Sequence, residues 1–217
     1  MSTAENKKGI DLYTWNTPNG RKVSIMLEEL GLPYRVYPID ITKGDQFQPD
    51  FLQISPNNKI PAIVDHDAGI HLMESGAILL YLANKTGKLL SPMGDKYWEQ
   101  MEWLMLQMAS IGPMLGQTHH FVQFNPGKSP YAEERYSKET ARLYKLLENR
   151  LQDREFICDE YSLVDIATWP WIARFEFQKM KLSDYPNLKR WYLNIANRPA
   201  VRRGYAVPDA IEVPMPE

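Results

Sequence analysis

The sequence predicts a small α/β domain followed by an all-helical one, and three observations carry that fold class. The first part orders its apolar runs as β-α-β and then β-β-α. Residues 87–94 (GKLLSPMG) break the pattern with glycine and proline. Beyond them the apolar spacing is helical. The expected division is residues 1–87, a linker at 88–94, and residues 95–217 ending in a proline-rich tail.

Residues 10–15 (IDLYTW) read as the first strand, and residues 20–30 as a helix with Val23, Met26, Leu27 and Leu30 on one face. Asn19 is its expected N-cap and Gly31 its stop. Residues 34–40 form the second strand, with a loop at 42–48. Residues 60–65 and 70–73, joined by Asp67-Ala68-Gly69, form a hairpin. A helix follows at 74–85, with Ile78, Leu79 and Leu82 facing the core. A parallel crossover beside an antiparallel hairpin makes the sheet mixed and flanks it with helices.

In the second part, helices are expected at 96 to about 116, 131–151, 162–179 and 186–197. Ser162 and Asp165 form a variant capping box. Trp169-Pro170-Trp171 predicts a kink, and residues 207–217 an extended tail packed on the surface. Trp98, Trp103, Trp169 and Trp171 are assigned to the helical core or the roof of an apolar pocket.

Composition narrows the chemistry. A net charge of -2 and a pI near 6.1 leave no excess of Lys and Arg to neutralise phosphates, so no nucleic-acid partner is expected. Residues 1–8 lack the apolar core of a secretory signal, and no stretch is long and apolar enough to span a bilayer. A soluble, cytoplasmic protein with no membrane partner is expected. Cys158, the only cysteine, excludes an intrachain disulfide and any Cys-x-x-Cys enzyme, and is read as structural or incidental. Thiol chemistry must therefore borrow a ligand's thiol. His119 and His120 diverge on a helix, and His66 and His71 sit in no HExxH-type motif, so no metal is expected.

Three separated segments converge in such a fold: residues 16–22, Lys59-Ile60-Pro61, and Glu74-Ser75. Singly each is bland. Thr17-Pro18-Asn19-Gly20 is turn-forming, Glu74-Ser75 can merely cap a helix, and Gln46 is a polar loop residue. Arg135 can form a surface ion pair with a nearby Glu, and Lys22 in a helix's first turn is expected to be exposed. Together the segments resemble the glutathione site of the glutathione transferase superfamily. Thr17-Pro18-Asn19-Gly20, Ser55-Pro56-Asn57-Asn58-Lys59-Ile60-Pro61 and Glu74-Ser75-Gly76-Ala77-Ile78-Leu79-Leu80-Tyr81 look like the bacterial nu class in particular. Pro130-Tyr131-Ala132 and Glu134-Arg135-Tyr136 extend the match into the helical part.

The resemblance implies a thioredoxin-like first domain, with Pro61 in the cis form presenting the backbone of Ile60 to glutathione's cysteine residue. It implies that Glu74 takes the γ-glutamyl ammonium, and that Ser75 and the helix amides take the carboxylate. Lys59 and Gln46 line the same ligand, and Arg135 neutralises a glutathione carboxylate held across a subunit interface. Thr17 and Asn19 are the implied thiolate stabilisers, with Tyr13 as a rival. Nu-class enzymes hold two glutathiones or one glutathione disulfide and reduce disulfide bonds. The implied activity is that of a homodimeric glutathione-dependent disulfide reductase, with an apolar pocket between the domains near Arg135. A conjugating transferase and a glutathione-binding protein with little turnover are the alternatives.

Overall fold

The structure, a computed structural model, describes residues 8–217; residues 1–7, most of the segment read above as free of a signal, lie outside them. Strand β1 (Ile10–Thr14) is central and largely buried. It pairs in parallel with β2 (Tyr34–Pro38) and antiparallel with β3 (Ala62–Asp65). β3 pairs antiparallel with β4 (Ile70–Met73), giving the order β2-β1-β3-β4. This is the mixed sheet expected, and helix α1 (Pro18–Leu30) supplies the crossover that the parallel pair requires.

α1 starts two residues before its expected first residue. Thr17, not Asn19, is the N-cap: its Oγ1 accepts the Gly20 N–H at 3.1 Å. Pro18 occupies the first helical position, where its missing N–H costs nothing, so Asn19 lies inside the helix. A Cβ at Gly20 would stand 2.4 Å from the Trp15 carbonyl oxygen, so only glycine lets the helix turn directly off the strand. Gly31, in the left-handed region, ends α1 as expected. A four-residue helix, α2 (Pro49–Leu52), precedes the β3–β4 hairpin, and α3 (Ser75–Thr86) follows it and packs beside α1.

The helical part begins with α4 (Asp95–Leu106), which continues through a wide π-turn at Gln107–Ile111 into α5 (Gly112–Thr118) and a second at His119–Phe124. The helical path thus runs past the expected end near Gly116. Pro113 has no N–H to return to the preceding turn, and the first π-turn lies just ahead of it. α6 (Pro130–Arg150), α7 (Leu163–Ile172), α8 (Pro186–Ala196) and α9 (Pro199–Tyr205) complete the set.

The Ser162–Asp165 capping box is formed, and Asp165 also accepts from Trp191 Nε1 at 2.8 Å. α7 stops at Ile172, short of the expected residue 179, because i→i+3 bonds such as Phe175 N–H to Ile172 O wind the following residues into turns. Pro170 sits inside α7. Trp169 is fully buried, whereas Trp98 is 67% exposed and lines none of the hollows around Asn19, contrary to its assignment to the core or a pocket roof. α9 lies against α1, with Ser24 Oγ donating to Gly204 O at 2.7 Å. The tail is extended and held by Tyr192 Oη, which donates to Pro214 O at 2.5 Å. Among the described residues no helix is long and apolar enough to cross a membrane.

Candidate active site

The cap that starts α1 leaves a donor unspent. Because Thr17 Oγ1 spends acceptor capacity on Gly20, its own O–H is left to donate, and it has no acceptor among the described residues. Asn19 Oδ1 accepts the Trp171 indole N–H at 3.0 Å. An indole nitrogen only donates, so this contact assigns the carboxamide: oxygen toward Trp171, Nδ2 away from it. Asn19 Nδ2 also lacks a partner among the described residues. Two free donors thus stand two residues apart.

They face open space. Thr17, Asn19, Gln46, Lys59, Ile60 and Trp171 line a hollow of about 280 Å³. Asn19, Lys59, Ile60, Pro61, Glu74 and Ser75 line another of about 140 Å³. A third, of about 270 Å³, lies against Asn19, Lys22, Glu74, Gln107, Gly116 and Trp171. Asn19 is common to all three.

The walls carry unspent polar groups. The Ile60–Pro61 peptide is cis, and the backbone N–H and C=O of Ile60 make no hydrogen bond to another described residue. Glu74 has φ 70°, a left-handed conformation that non-glycine residues rarely adopt outside functional sites and turns. Its side chain does not cap α3, so the first N–H groups of that helix remain unpaired beside Ser75. The amino end of α3 therefore offers donors and partial positive charge. Gln46 Oε1 is buried without a partner.

Lys22, expected to be exposed, is 1% exposed. One helical turn past Pro18, it points inward beneath α3 and the first π-turn, where Nζ donates to Gln107 Oε1 at 2.7 Å and to Ser75 Oγ at 3.4 Å. No carboxylate lies within hydrogen-bonding reach among the described residues, and burial pulls its pKa down to about 7, opposed in part by the charge of Glu74. Lys22, Gln107 and Met108 were missed as site residues. Hydrophobic periodicity carries no signal for a polar side chain buried by another domain, or for a π-turn.

Arg135 stands apart. It is exposed on α6 and lines a separate groove of about 570 Å³ with Tyr131, Lys138 and Arg142. That groove is charged and lies within the helical part, so the apolar interdomain pocket expected near Arg135 is not found there. Lys138 pairs with Glu134, and Arg142 with Glu139, while Arg135 forms no ion pair among the described residues. Tyr13 lines none of the three hollows around Asn19. It stacks on Tyr37 at 5.0 Å, and its hydroxyl pKa is raised, chiefly by burial, which disfavours the rival role. Cys158 is buried, its thiol pushed up to about 12 by burial, so it supplies no thiolate.

A mixed sheet carrying a cis-proline loop, with an open helix start opposite and an all-helical second part, is the architecture of a glutathione transferase. The models of the glutathione S-transferase N-terminal and C-terminal domains match residues 17–85 and 109–199. The chain belongs to that family. It is 51% identical over 197 residues to the disulfide-bond oxidoreductase YfcG of Escherichia coli, covering 88% of this chain and 92% of that protein. It is 38% identical to the disulfide-bond oxidoreductase YghU of the same organism, covering 93% and 75%. A glutathione transferase from Burkholderia graminis, solved with two glutathione molecules per subunit, superposes with a TM-score of 0.88 at 42% identity, covering 95% and 91%. One from Pseudomonas putida, solved with one glutathione disulfide per subunit, gives 0.87 at 39% identity, covering 95% and 94%.

Proposed function

We propose that this chain is a glutathione-dependent disulfide-bond reductase of the nu class. Two free donors, the Thr17 hydroxyl and Asn19 Nδ2, stand at hollows that no cysteine lines, and this observation carries the proposal. The unspent groups around them fit a glutathione. Ile60 offers an unpaired N–H and C=O to the cysteinyl backbone, α3 and Ser75 receive a carboxylate, and Glu74 faces an ammonium. Gln46 and Lys59 flank the same space. Asn19, shared by all three hollows, stands where two glutathiones, or the halves of one glutathione disulfide, would meet. The disulfide-bond oxidoreductase names of the two Escherichia coli relatives support the same activity.

Glutathione supplies the nucleophilic thiol and, in a second equivalent, the resolving thiol, so that two glutathiones and one substrate disulfide yield glutathione disulfide and two thiols. The protein's task is ionisation. A free thiol titrates at about 8.5, and lowering that by about two units takes roughly 2.7 kcal/mol of preferential thiolate stabilisation. Hydrogen bonds to a charged partner contribute about 1.5–3 kcal/mol each, so Thr17, Asn19 and the amino end of α1 suffice. Lys22, behind Ser75, donates to the hydroxyl that receives the carboxylate end.

The working unit is a homodimer. Trp98 and Met105, exposed at heptad spacing on α4, form an apolar stripe suited to a second copy, and a partner's glutathione is the carboxylate that the unpaired Arg135 awaits. Light scattering that returned the mass of one chain at working concentration would remove this part. The activity itself is tested by following reduction of a small model disulfide, and conjugation of an aromatic halide, with excess glutathione in wild type and Asn19→Ala. Reduction should dominate in wild type and fall about tenfold to hundredfold in the variant. Strong conjugation with negligible, Asn19-independent reduction contradicts the assignment.

A further inference from the structure

We propose that Trp171, from the helical domain, is a positioning residue that fixes which end of the Asn19 carboxamide faces the thiol. An asparagine can turn either end of its amide toward a ligand, and only the nitrogen end stabilises a thiolate; the oxygen end repels it. The Trp171 N–H, at 3.0 Å from Asn19 Oδ1, removes that freedom: the flipped amide sets two donors against each other and leaves the indole unpaired.

Trp171 is itself held on several sides. Its ring stacks on His119 at 5.7 Å between centroids with the planes 24° apart. A Cβ at Gly116 would come within 3.3 Å of ring carbon Cη2, and one at Gly112 within 3.3 Å of Nε1, so α5 presents two glycines to make a slot for the ring. The Trp171 carbonyl accepts from Gln178 Nε2 at 2.8 Å. Gln178 is locked in turn by Tyr144 Oη, which donates to Gln178 Oε1 at 2.5 Å, and by His119 Nε2, which stands 3.0 Å from Gln178 Nε2 and accepts from it. Every member of this network is buried, and no charge is spent in it. It reaches the ligand-facing wall of α1 through the bond to Asn19. The sequence pattern Trp169-Pro170-Trp171 thus divides its labour: Trp169 fills the core, bonding to Tyr192 O at 3.1 Å, while Trp171 orients the amide.

The inference rests on Asn19 acting as a thiolate donor, and the test separates the two claims. Trp171→Phe keeps an aromatic ring and removes the N–H. If that variant folds poorly, β-(3-benzothienyl)alanine placed at 171 keeps the indole's shape and replaces N–H with sulfur. Either variant is assayed for disulfide reduction across pH, alone and combined with Asn19→Ala. Loss of the N–H should lower kcat about three- to tenfold, leave the KM for glutathione within about twofold, and move the acidic limb of the pH–rate profile upward. In the Asn19→Ala background it should change kcat by less than about twofold. An equal loss in both backgrounds, or a rise in KM with no shift of the profile, overturns the role of Trp171. An Asn19→Ala enzyme with wild-type rate and profile overturns instead the thiolate assignment beneath it.

Discussion

His119 is a base kept neutral so that it can accept a hydrogen bond. It is 8% exposed, between the Trp171 ring and Gln178, and burial, aided by the charge of Arg174, lowers its pKa to about 4. An unfolded chain protonates the same side chain near pH 6.5. Its contribution is therefore complete above the unfolded value and is lost as pH falls toward the folded one. Between pH 7 and pH 5 the wild type should lose about 2 kcal/mol of stability that His119→Phe does not lose, measured by denaturant unfolding at both values. Asp165, pushed up to about 6 by burial, has the opposite slope between about pH 4 and 6, since its folded form holds a proton longer. It is common to both proteins and cancels in the comparison. Parallel losses in the two proteins would show that His119 is not buried neutral.

At the scale of elements, legibility followed the length of the periodic pattern. α1, α3, α6 and α8 repeat their apolar positions over enough turns to be read directly, and the β3–β4 hairpin declares itself through Asp67-Ala68-Gly69. Thr17 and Asn19 are both good caps, and the discriminating signal was Pro18, which favours the first helical position and so assigns the cap to Thr17. α9 has seven residues, too few for a period, yet it makes one of the closest contacts in the protein. A Cβ on Gly204 would lie 2.5 Å from Ile25 Cα and 2.6 Å from Ile25 N, against backbone that cannot give way. Gly204→Ala should therefore cost about 1–3 kcal/mol through displacement of α9 from α1, seen as a lowered thermal midpoint. An unchanged midpoint would show that α9 shifts freely on α1.

For the whole molecule, the ligand-facing half of the proposed site was legible through resemblance and the supporting half was not. Thr17, Ile60, Pro61, Glu74 and Ser75 sit in short motifs that are bland singly, and their proposed ligand roles come from the joint resemblance of those motifs to the transferase family. Lys22, Gln107 and Trp171 gain their roles only when α5, α7 and the first π-turn close over α1, a long-range event that leaves no local pattern. We place the domain boundary between Thr86, where α3 ends, and Asp95, where α4 begins, so the helical domain both covers the site and orients its donor. In the proposed mechanism, protein donors ionise a borrowed thiol in a protein whose own cysteine is inert. Ultraviolet titration of the thiolate of bound glutathione tests it most directly. Wild type should show a thiol pKa about two units below the free value near 8.5, and Asn19→Ala should move it back by about one unit or more. A bound thiol that titrates like free glutathione, or one indifferent to Asn19, would contradict it.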